Sequence, residues 1–201
     1  MRPLTIQLLI ASTNAGKVAE YRRMLGGLDL ELCSLDQLSS RPPEPPEDAP
    51  TFAENARDKA LSYARETRMA TVADDAGLEV EALGGAPGVH SRRFIGEEAT
   101  AEQRNAHLLA LLDGREDRAA RFVCVTALAY PDGRIQTFDG EVRGEIAMAP
   151  RGSGGFGYDP LFVVAGDGRT MGELSGDEKD AISHRGLAVA QLRAYLASEP
   201  R

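Results

Sequence analysis

Residues 71–91 read TVADDAGLEVEALGGAPGVHS and combine a strand pattern with two adjacent carboxylates, Asp74 and Asp75. Residues 71–73 are suited to a β-strand, which we expect to end at the two aspartates. Neighbouring side chains on a strand point to opposite faces, so one carboxylate can turn inward while the other meets a divalent cation that offsets its charge. Asp also caps turns, and the segment taken alone favours that ordinary role over catalysis.

The second half of the same stretch alternates apolar and acidic residues after Gly77. Leu78, Val80 and Ala82 fall on one face, which is typical of a second, half-buried strand. The run GGAPG at 84–88 then predicts a tight, specifically shaped turn.

Length and charge bound the class of protein. The chain has 201 residues without a linker or an internal repeat, so we expect a single domain over 1–201. A formal net charge of −8 argues against a nucleic-acid partner, which needs a broad basic face. A small anionic substrate is still compatible, because a few lysines and arginines can make one pocket positive. No apolar run is long enough to span a bilayer, so we expect no membrane partner.

The N-terminus and the cysteines point to a cytoplasmic protein. Thr5 and Gln7 interrupt the first apolar run, which predicts a strand and not a signal peptide. Cys33 and Cys124 each lie in a segment typical of a buried strand, and nothing near them suggests a metal cluster or a redox pair. A reducing cytoplasm fits this usage best.

A first candidate site follows the apolar strand at 7–12. The polar turn TNAGK at 13–17 leads directly into a predicted helix that runs to Leu25. A helix start offers backbone N–H groups and a positive dipole end to an anion. Val18 stands where a Walker A loop has Ser or Thr, so that motif is excluded. Asn14 and Lys17 are candidate phosphate ligands, and an ordinary turn with a surface lysine remains the alternative.

A second helix is predicted after a strand at 28–34 and the proline cluster at 42–46. Thr51 and Glu54 have the spacing of a capping box, and the helix should continue to about Arg65. Its inward face is formed by apolar residues at helical spacing, namely Phe52, Ala56, Ala60 and Tyr63. Lys59 falls on that face with Asn55 at its border. A lysine in this place must extend to water or find a buried negative partner.

The remaining chain adds scaffold and one glycine-rich loop. We predict a helix over 100–112 that carries His107 without a functional role, and an antiparallel hairpin over 121–146. The loop RGSGGFGYDPLF at 151–162 can bend round a ligand and present Phe156 or Tyr158 for stacking on a base. Rings packed into the core are the equally common alternative.

The last cluster lies before the C-terminal helix, predicted over 187–197. Ser183 is a natural N-cap, which places His184 and Arg185 in the first turn. A positive charge there is unfavourable against the helix dipole unless an anion or another hydrogen-bonding ligand is present. This mismatch favours a binding role.

Together these motifs resemble the inosine triphosphate pyrophosphatase family, whose members hydrolyse dITP, ITP and XTP to the monophosphate and pyrophosphate. Five segments match in the right order: ASTNAGKVAE, TFAENARDKA, ADDAGLEVEALGGAPGVHSRRF, GSGGFGYDPLF and EKDAISHRG. The resemblance implies an α/β fold with an elongated, mixed central β-sheet flanked by helices, and two lobes with a cleft between them. It also implies a Mg²⁺ requirement and a homodimer.

The resemblance also implies roles for individual residues. Asp75 resembles the family's general base, and Glu47 and Asp75 resemble its metal ligands. The implied substrate contacts are Ser12, Thr13, Asn14, Ala15, Gly16, Lys17, Asn55, Lys59, Ala76, Phe156, Gly157, Tyr158, Asp159, Lys179, His184 and Arg185.

The chain departs from the family pattern in two places. Ala76 occupies the position usually held by Ser, which bears on one side-chain phosphate contact. Ala49-Pro50 replaces the more usual Gly-x pair before Thr51, which bears on the Glu47 assignment. Two rival functions stay open: a pyrophosphatase of related fold for other modified nucleotides, and a nucleotide-sensing module without turnover.

Overall fold

The fold is a mixed α/β arrangement built on one six-stranded sheet, seen in a computed structural model that describes residues 6–198. The strands are β1 (Ile6–Ile10), β2 (Leu30–Ser34), β3 (Ala70–Val80), β4 (Ala119–Ala129), β5 (Ile135–Ile146) and β6 (Phe162–Val164). The strand order is β2-β1-β3-β4-β5-β6. β1 pairs in parallel with β2 and β3, whereas β5 and β6 are antiparallel. The predicted α/β class with a mixed sheet is confirmed.

Five α-helices accompany the sheet in the described part of the chain. They are α1 (Ala15–Leu25), α2 (Phe52–Thr67), α3 (Ala101–Leu111), α4 (Gly176–Ile182) and α5 (His184–Ser198). Thr100 and Gln103 form the predicted capping box of α3. At α2 the Thr51 hydroxyl accepts from the Glu54 backbone N–H, but the Glu54 carboxylate accepts from that hydroxyl instead of the expected backbone donor. No helix within residues 6–198 has the length and apolarity needed to cross a bilayer.

Residues 71–80 belong to a single strand, so the expectation of two strands interrupted at the aspartates was wrong. β3 runs for 11 residues through Asp74, Asp75 and Gly77. Nearly every side chain along it is buried, which an alternating pattern does not predict. Adjacent buried carboxylates can continue a strand when each finds a compensating partner, and both do so here.

The chain divides into two compact units that are each assembled from separate stretches. Within the described residues, the first comprises 6–75, 125–139 and 188–198, and the second comprises 76–124 and 140–187. The expectation of one domain over 1–201 stays a prediction.

Each unit has its own apolar core. In the first, buried side chains of α1 and α5 pack with those of the sheet: Leu8, Ile10, Tyr21, Leu25, Val72, Leu128, Phe138, Val189 and Leu192. In the second, the buried cluster includes Leu78, Val80, Leu108, Phe122, Leu161 and Phe162. Burial of each such side chain contributes about 1.5–3 kcal/mol, so each unit has an apolar core that stabilises it.

The predicted β-hairpin is present and lies on the sheet as scaffold. β4 and β5 are neighbours, and the turn between them is closed by hydrogen bonds from the Tyr130 N–H to the Arg134 carbonyl and from the Gly133 N–H to the Tyr130 carbonyl. Cys124 is buried in β4, as expected from its surroundings, but the expectation was wrong for Cys33, which is half-buried in the partly buried strand β2.

Candidate functional site

The turn before α1 is organised by side-chain hydrogen bonds. Asn14 is the N-cap, and its Oδ1 accepts from the N–H groups of Gly16 at 2.9 Å and Lys17 at 3.2 Å. Ser12 Oγ accepts from the Asn14 N–H at 3.2 Å. Thr13, Asn14 and Ala15 are exposed. The dipole end of an 11-residue helix therefore faces solvent, with Asn14 already using two of the N–H groups that were expected to be available.

Lys17 links this turn to β3. Its Nζ lies 3.1 Å from Asp74 Oδ2, and the Asp74 side chain is only 1% exposed whereas that of Lys17 is 17% exposed. A buried carboxylate is destabilised unless it is paired, and Lys17 provides the pair. The lysine thus presents a positive charge at the helix start while being fixed by a strand carboxylate.

Lys59 has the negative partner that its place on α2 predicted, although this partner, Glu47, is half-buried instead of buried. Its Nζ forms an ion pair with Glu47 and donates to the Asp74 backbone carbonyl at 3.3 Å. Burial opposes the charged form of Lys59, yet the negative charges of Glu47, Asp74 and Asp75 together raise its pKa. Lys59 therefore remains protonated among three carboxylates.

Asp75 is a buried carboxylate whose surroundings make it more basic than an ordinary aspartate. It is 6% exposed, and Asn55 Nδ2 donates to its Oδ2 at 2.9 Å. Burial raises the pKa of Asp75 to about 6, and Glu47 adds to this rise, while Lys17, Asn55 and Lys59 oppose it. A carboxylate with a pKa close to neutral is suited to accept a proton from water.

Glu47 and Asp75 have the donor chemistry that a magnesium ion would need. The negative charge of Glu47 raises the pKa of Asp75, and a cation bound by both carboxylates would relieve their repulsion. Among residues 6–198 there is no group of three or more His, Cys, Asp or Glu arranged for a metal. Mg²⁺ commonly takes one or two protein carboxylates and fills its shell with water and substrate phosphates, and Glu47 with Asp75 matches that use.

The second unit contains a separate cluster around the glycine-rich loop. Asp159 Oδ2 accepts from Lys179 Nζ at 2.6 Å and from the Phe156 N–H at 2.7 Å. A Cβ at Gly155 would lie 2.0 Å from that same oxygen, and Gly155 has φ +71°. Glycine is therefore required for the carboxylate to close over the loop.

The two aromatic rings of the loop have different environments. Phe156 is half-buried, with Lys179 Nζ 4.6 Å and Arg185 Cζ 5.6 Å from its ring centroid. Tyr158 is 4% exposed, and its hydroxyl donates to the Ser91 carbonyl at 3.1 Å. Burial raises the pKa of Tyr158 to about 12. Phe156 is thus the ring that can stack on a base, and Tyr158 belongs to the core.

The start of α5 has the predicted cap. Ser183 Oγ accepts from the Gly186 N–H at 3.0 Å. His184 is 5% exposed and stacks on Phe122, with ring centroids 4.6 Å apart and an interplanar angle of 12°. Arg185 is 1% exposed. The first turn of the helix therefore holds two nitrogen-rich side chains within the protein.

The structure collects the predicted residues into two sets, one in each unit. The first unit brings together Lys17, Glu47, Asn55, Lys59 and Asp75, and the second brings Phe156, Asp159 and Lys179 together with Arg185. Ala76 is half-buried on β3, and Gly157 adopts φ +64°.

Sequence reasoning missed several supporting residues. It gave no role to Asp74, which pairs with Lys17, although the adjacent carboxylates were the signal. It also overlooked Ser91, whose Oγ accepts from the Leu78 N–H and whose carbonyl receives Tyr158. It overlooked Phe122 beneath His184 as well. No spacing in the sequence relates the last two residues to their partners.

Comparison with known proteins gives matches over nearly the whole chain. A family model described as the Ham1 family matches residues 8–195. A protein of Deinococcus deserti named dITP/XTP pyrophosphatase is 47% identical over 188 residues, covering 94% of this chain and 88% of its own length. A Geobacter sulfurreducens protein of the same name is 47% identical over 192 residues, covering 94% and 96%.

Solved structures resemble this chain both in fold and in sequence. The structure of a HAM1 protein from Coxiella burnetii superposes with a TM-score of 0.87 at 40% identity, covering 96% of this chain and 100% of that one. The resemblance carried by the five ordered segments is thereby confirmed. The family model spans residues 8–195, and both relatives are 47% identical to this chain over most of its length. The chain therefore belongs to the Ham1 family.

Proposed function

We propose that this protein is a nucleoside triphosphate pyrophosphatase that hydrolyses dITP, ITP and XTP to the monophosphate and pyrophosphate. The observation that carries the proposal is the cluster around β3: burial raises the pKa of Asp75 to about 6, Lys17 of α1 pairs with Asp74, and Lys59 of α2 pairs with Glu47. Relatives named dITP/XTP pyrophosphatase that are 47% identical support the same activity.

In this mechanism the residues of the first unit handle the phosphates. Lys17, Lys59 and the dipole end of α1 offset the negative charge of the triphosphate. Asp75 orients a water molecule and accepts a proton from it as the water oxygen bonds to the α-phosphorus. The bond from the α-phosphorus to the bridging oxygen breaks, and pyrophosphate leaves with the electron pair. Mg²⁺, when bound by Glu47 and Asp75, would offset phosphate charge.

The residues of the second unit are proposed to read the base. Phe156 offers a ring for stacking, worth about 1–3 kcal/mol per base in nucleic-acid proteins. Arg185 can only donate hydrogen bonds, and so can the backbone N–H groups at the start of α5. Donors favour the C6 oxygen of hypoxanthine and xanthine and oppose the C6 amino group of adenine.

The direct test is product analysis with dITP as substrate. We expect deoxyinosine monophosphate and pyrophosphate in equal amounts with Mg²⁺, and no turnover in EDTA. Release of orthophosphate, with a diphosphate product, would place cleavage at the γ-phosphate and contradict the proposal. A panel that includes pyrimidine and other modified nucleoside triphosphates distinguishes the rival pyrophosphatase, and binding without any product distinguishes the sensing module.

We further propose a cytoplasmic homodimer that acts on small nucleotides and not on nucleic acid or membranes. The family resemblance supports the dimer, and the net charge of −8 opposes binding to a nucleic-acid backbone. Size-exclusion chromatography with light scattering tests the dimer. We expect twice the mass of the 21.6 kDa chain. A monomer at micromolar concentration would contradict it.

A further inference from the structure

Asn55 uses its carboxamide entirely within the protein. Its Oδ1 accepts from the Ala49 N–H at 2.9 Å, and its Nδ2 donates to the Ala49 carbonyl at 3.2 Å and to Asp75 Oδ2 at 2.9 Å. A carboxamide nitrogen has two hydrogens to donate, and both are taken by these acceptors. The residue is buried, and the donor hydrogens of its carboxamide are directed to groups of the protein itself.

We propose that Asn55 is a positioning residue that holds Asp75 and the Glu47 loop in register for the metal, and not a substrate ligand. The inference rests on the proposed function in one respect, namely that Glu47 and Asp75 share Mg²⁺. It replaces the substrate contact that the family resemblance implied for this position.

The Glu47 loop has particular need of such a contact. Residues 38–50 contain no helix or strand, and the prolines among them, Pro42, Pro43, Pro45, Pro46 and Pro50, lack a backbone N–H. Ala49 lies two residues after Glu47 and forms hydrogen bonds to Asn55 through both its N–H and its carbonyl. The last turn of the loop is thereby tied to α2, which also carries Lys59, the ion-pair partner of Glu47.

A neutral donor suits the Asp75 end of this arrangement. Asp75 follows Asp74 in β3, and the charges of Glu47, Lys17 and Lys59 already act on it. Asn fixes the carboxylate without adding charge, and its position near the start of α2 makes it rigid, since its backbone N–H donates to the Thr51 carbonyl at 3.1 Å. Residues that orient metal ligands in this way typically change metal affinity or activity by about 10–100-fold when removed.

The test compares Asn55→Ala with Asn105→Ala. Asn105 is a matched control because it is also a buried helix asparagine, 7% exposed, that donates to a loop carbonyl, that of Gly157, at 3.1 Å. We expect Asn55→Ala to raise the Mg²⁺ concentration for half-maximal dITP turnover about 10–100-fold. The KM for dITP at saturating Mg²⁺ should change by about twofold or less, because no substrate contact is lost. Asn105→Ala should leave the Mg²⁺ dependence unchanged.

A second readout needs no turnover. Hydrogen exchange of the Ala49 amide, measured without nucleotide or metal, should become at least about tenfold faster in Asn55→Ala than in wild type. The nearly isosteric Asn55→Asp keeps an acceptor for the Ala49 N–H but loses the donors. It should preserve most of the protection while turnover at saturating Mg²⁺ falls at least about tenfold. This variant serves as well if Asn55→Ala fails to fold.

The outcomes separate the inference from the function on which it rests. Unchanged Mg²⁺ dependence in Asn55→Ala, or unchanged exchange at Ala49, would overturn the positioning role. A raised KM with normal Mg²⁺ dependence would restore the substrate contact. Wild-type turnover that persists in EDTA would defeat the metal assignment of the proposed function, while exchange at Ala49 would still decide whether Asn55 holds the loop.

Discussion

Asp75 is the residue on which the proposed chemistry depends. Asp75→Asn should fold normally and bind nucleotide, because the amide has the same shape and can still contact Asn55. Turnover should fall by about two to four orders of magnitude, the range for loss of a positioned general base. Pyrophosphate release gives the rate and calorimetry with a non-hydrolysable analogue gives the affinity. Near wild-type turnover would show that Asp75 is not the base.

The same residue makes stability depend on pH. Burial raises the pKa of Asp75 from 3.8 to about 6, so the folded protein holds this proton over a range where the unfolded chain has lost it. The contribution of Asp75 to stability therefore decreases as pH rises through that window.

In EDTA, the free energy of unfolding of wild type should accordingly fall relative to that of Asp75→Asn as pH rises from about 4 to about 7. Urea unfolding at successive pH values measures the difference between the two proteins. Asn cannot ionise, so the variant isolates this single titration. A difference that stays constant with pH would contradict the assignment.

Lys59 should matter more for activity than for stability. Lys59→Met fills a similar stem volume beside the apolar face of α2 but removes the charge that pairs with Glu47. We expect turnover to fall at least about a hundredfold. The urea midpoint should change little by comparison, because Met leaves no charge at the buried position. A variant that unfolds easily yet keeps its specific activity while folded would make Lys59 a structural ion-pair residue.

At the scale of elements, local signals were enough wherever an element depends on its own residues. The capping box of α3 and the Ser183 cap of α5 were read correctly because a cap is a contact over three residues. Helix α4 was not predicted, although Ser175 and Glu178 form a capping box at its start. It has only seven residues and no apolar residues at helical spacing, so the remaining signal was too weak.

β3 could not be predicted as one strand because its continuity depends on distant residues. Asp74 is compensated by Lys17 and Asp75 by Asn55, and both partners lie far away in sequence. The pattern around Asp74 and Asp75 therefore indicated an interruption that tertiary contacts remove.

The glycine-rich loop offers a test at the same scale. Gly155 and Gly157 both have positive φ, but a Cβ would meet Asp159 Oδ2 only at Gly155 and would meet nothing within 4 Å at Gly157. Alanine at either position should cost about 1–2 kcal/mol for the left-handed backbone. Gly155→Ala should cost more and should also raise the KM for dITP, because it displaces Asp159 from Lys179 and Phe156. Equal effects of the two substitutions would show that the Asp159 contact is unimportant.

For the molecule as a whole, the sequence predicted the family and the fold class better than the way in which the chain builds the two units. The five ordered segments were sufficient for the family, and every residue named from them for the phosphate end lies in the first unit, except Ala76. The resemblance implied two lobes, but it did not give the interleaved stretches that build the two compact units, in which β3, β4, β5 and α5 each contribute residues to both. No boundary in composition marks a division of this kind.

We expect hydrogen-bond donors to select the base, and the ratio of kcat/KM values between nucleotides measures that selection. ITP and XTP should exceed ATP and GTP by at least about a hundredfold, since mispaired polar groups in such a site cost several kcal/mol. GTP shares the C6 oxygen, so its exclusion must come from the 2-amino group. Arg185→Ala should reduce the ratio of kcat/KM for ITP to that for ATP, mainly because activity on ITP falls. Comparable kcat/KM values for ATP and ITP in the wild-type enzyme would show that hydrogen-bond donors do not select the base.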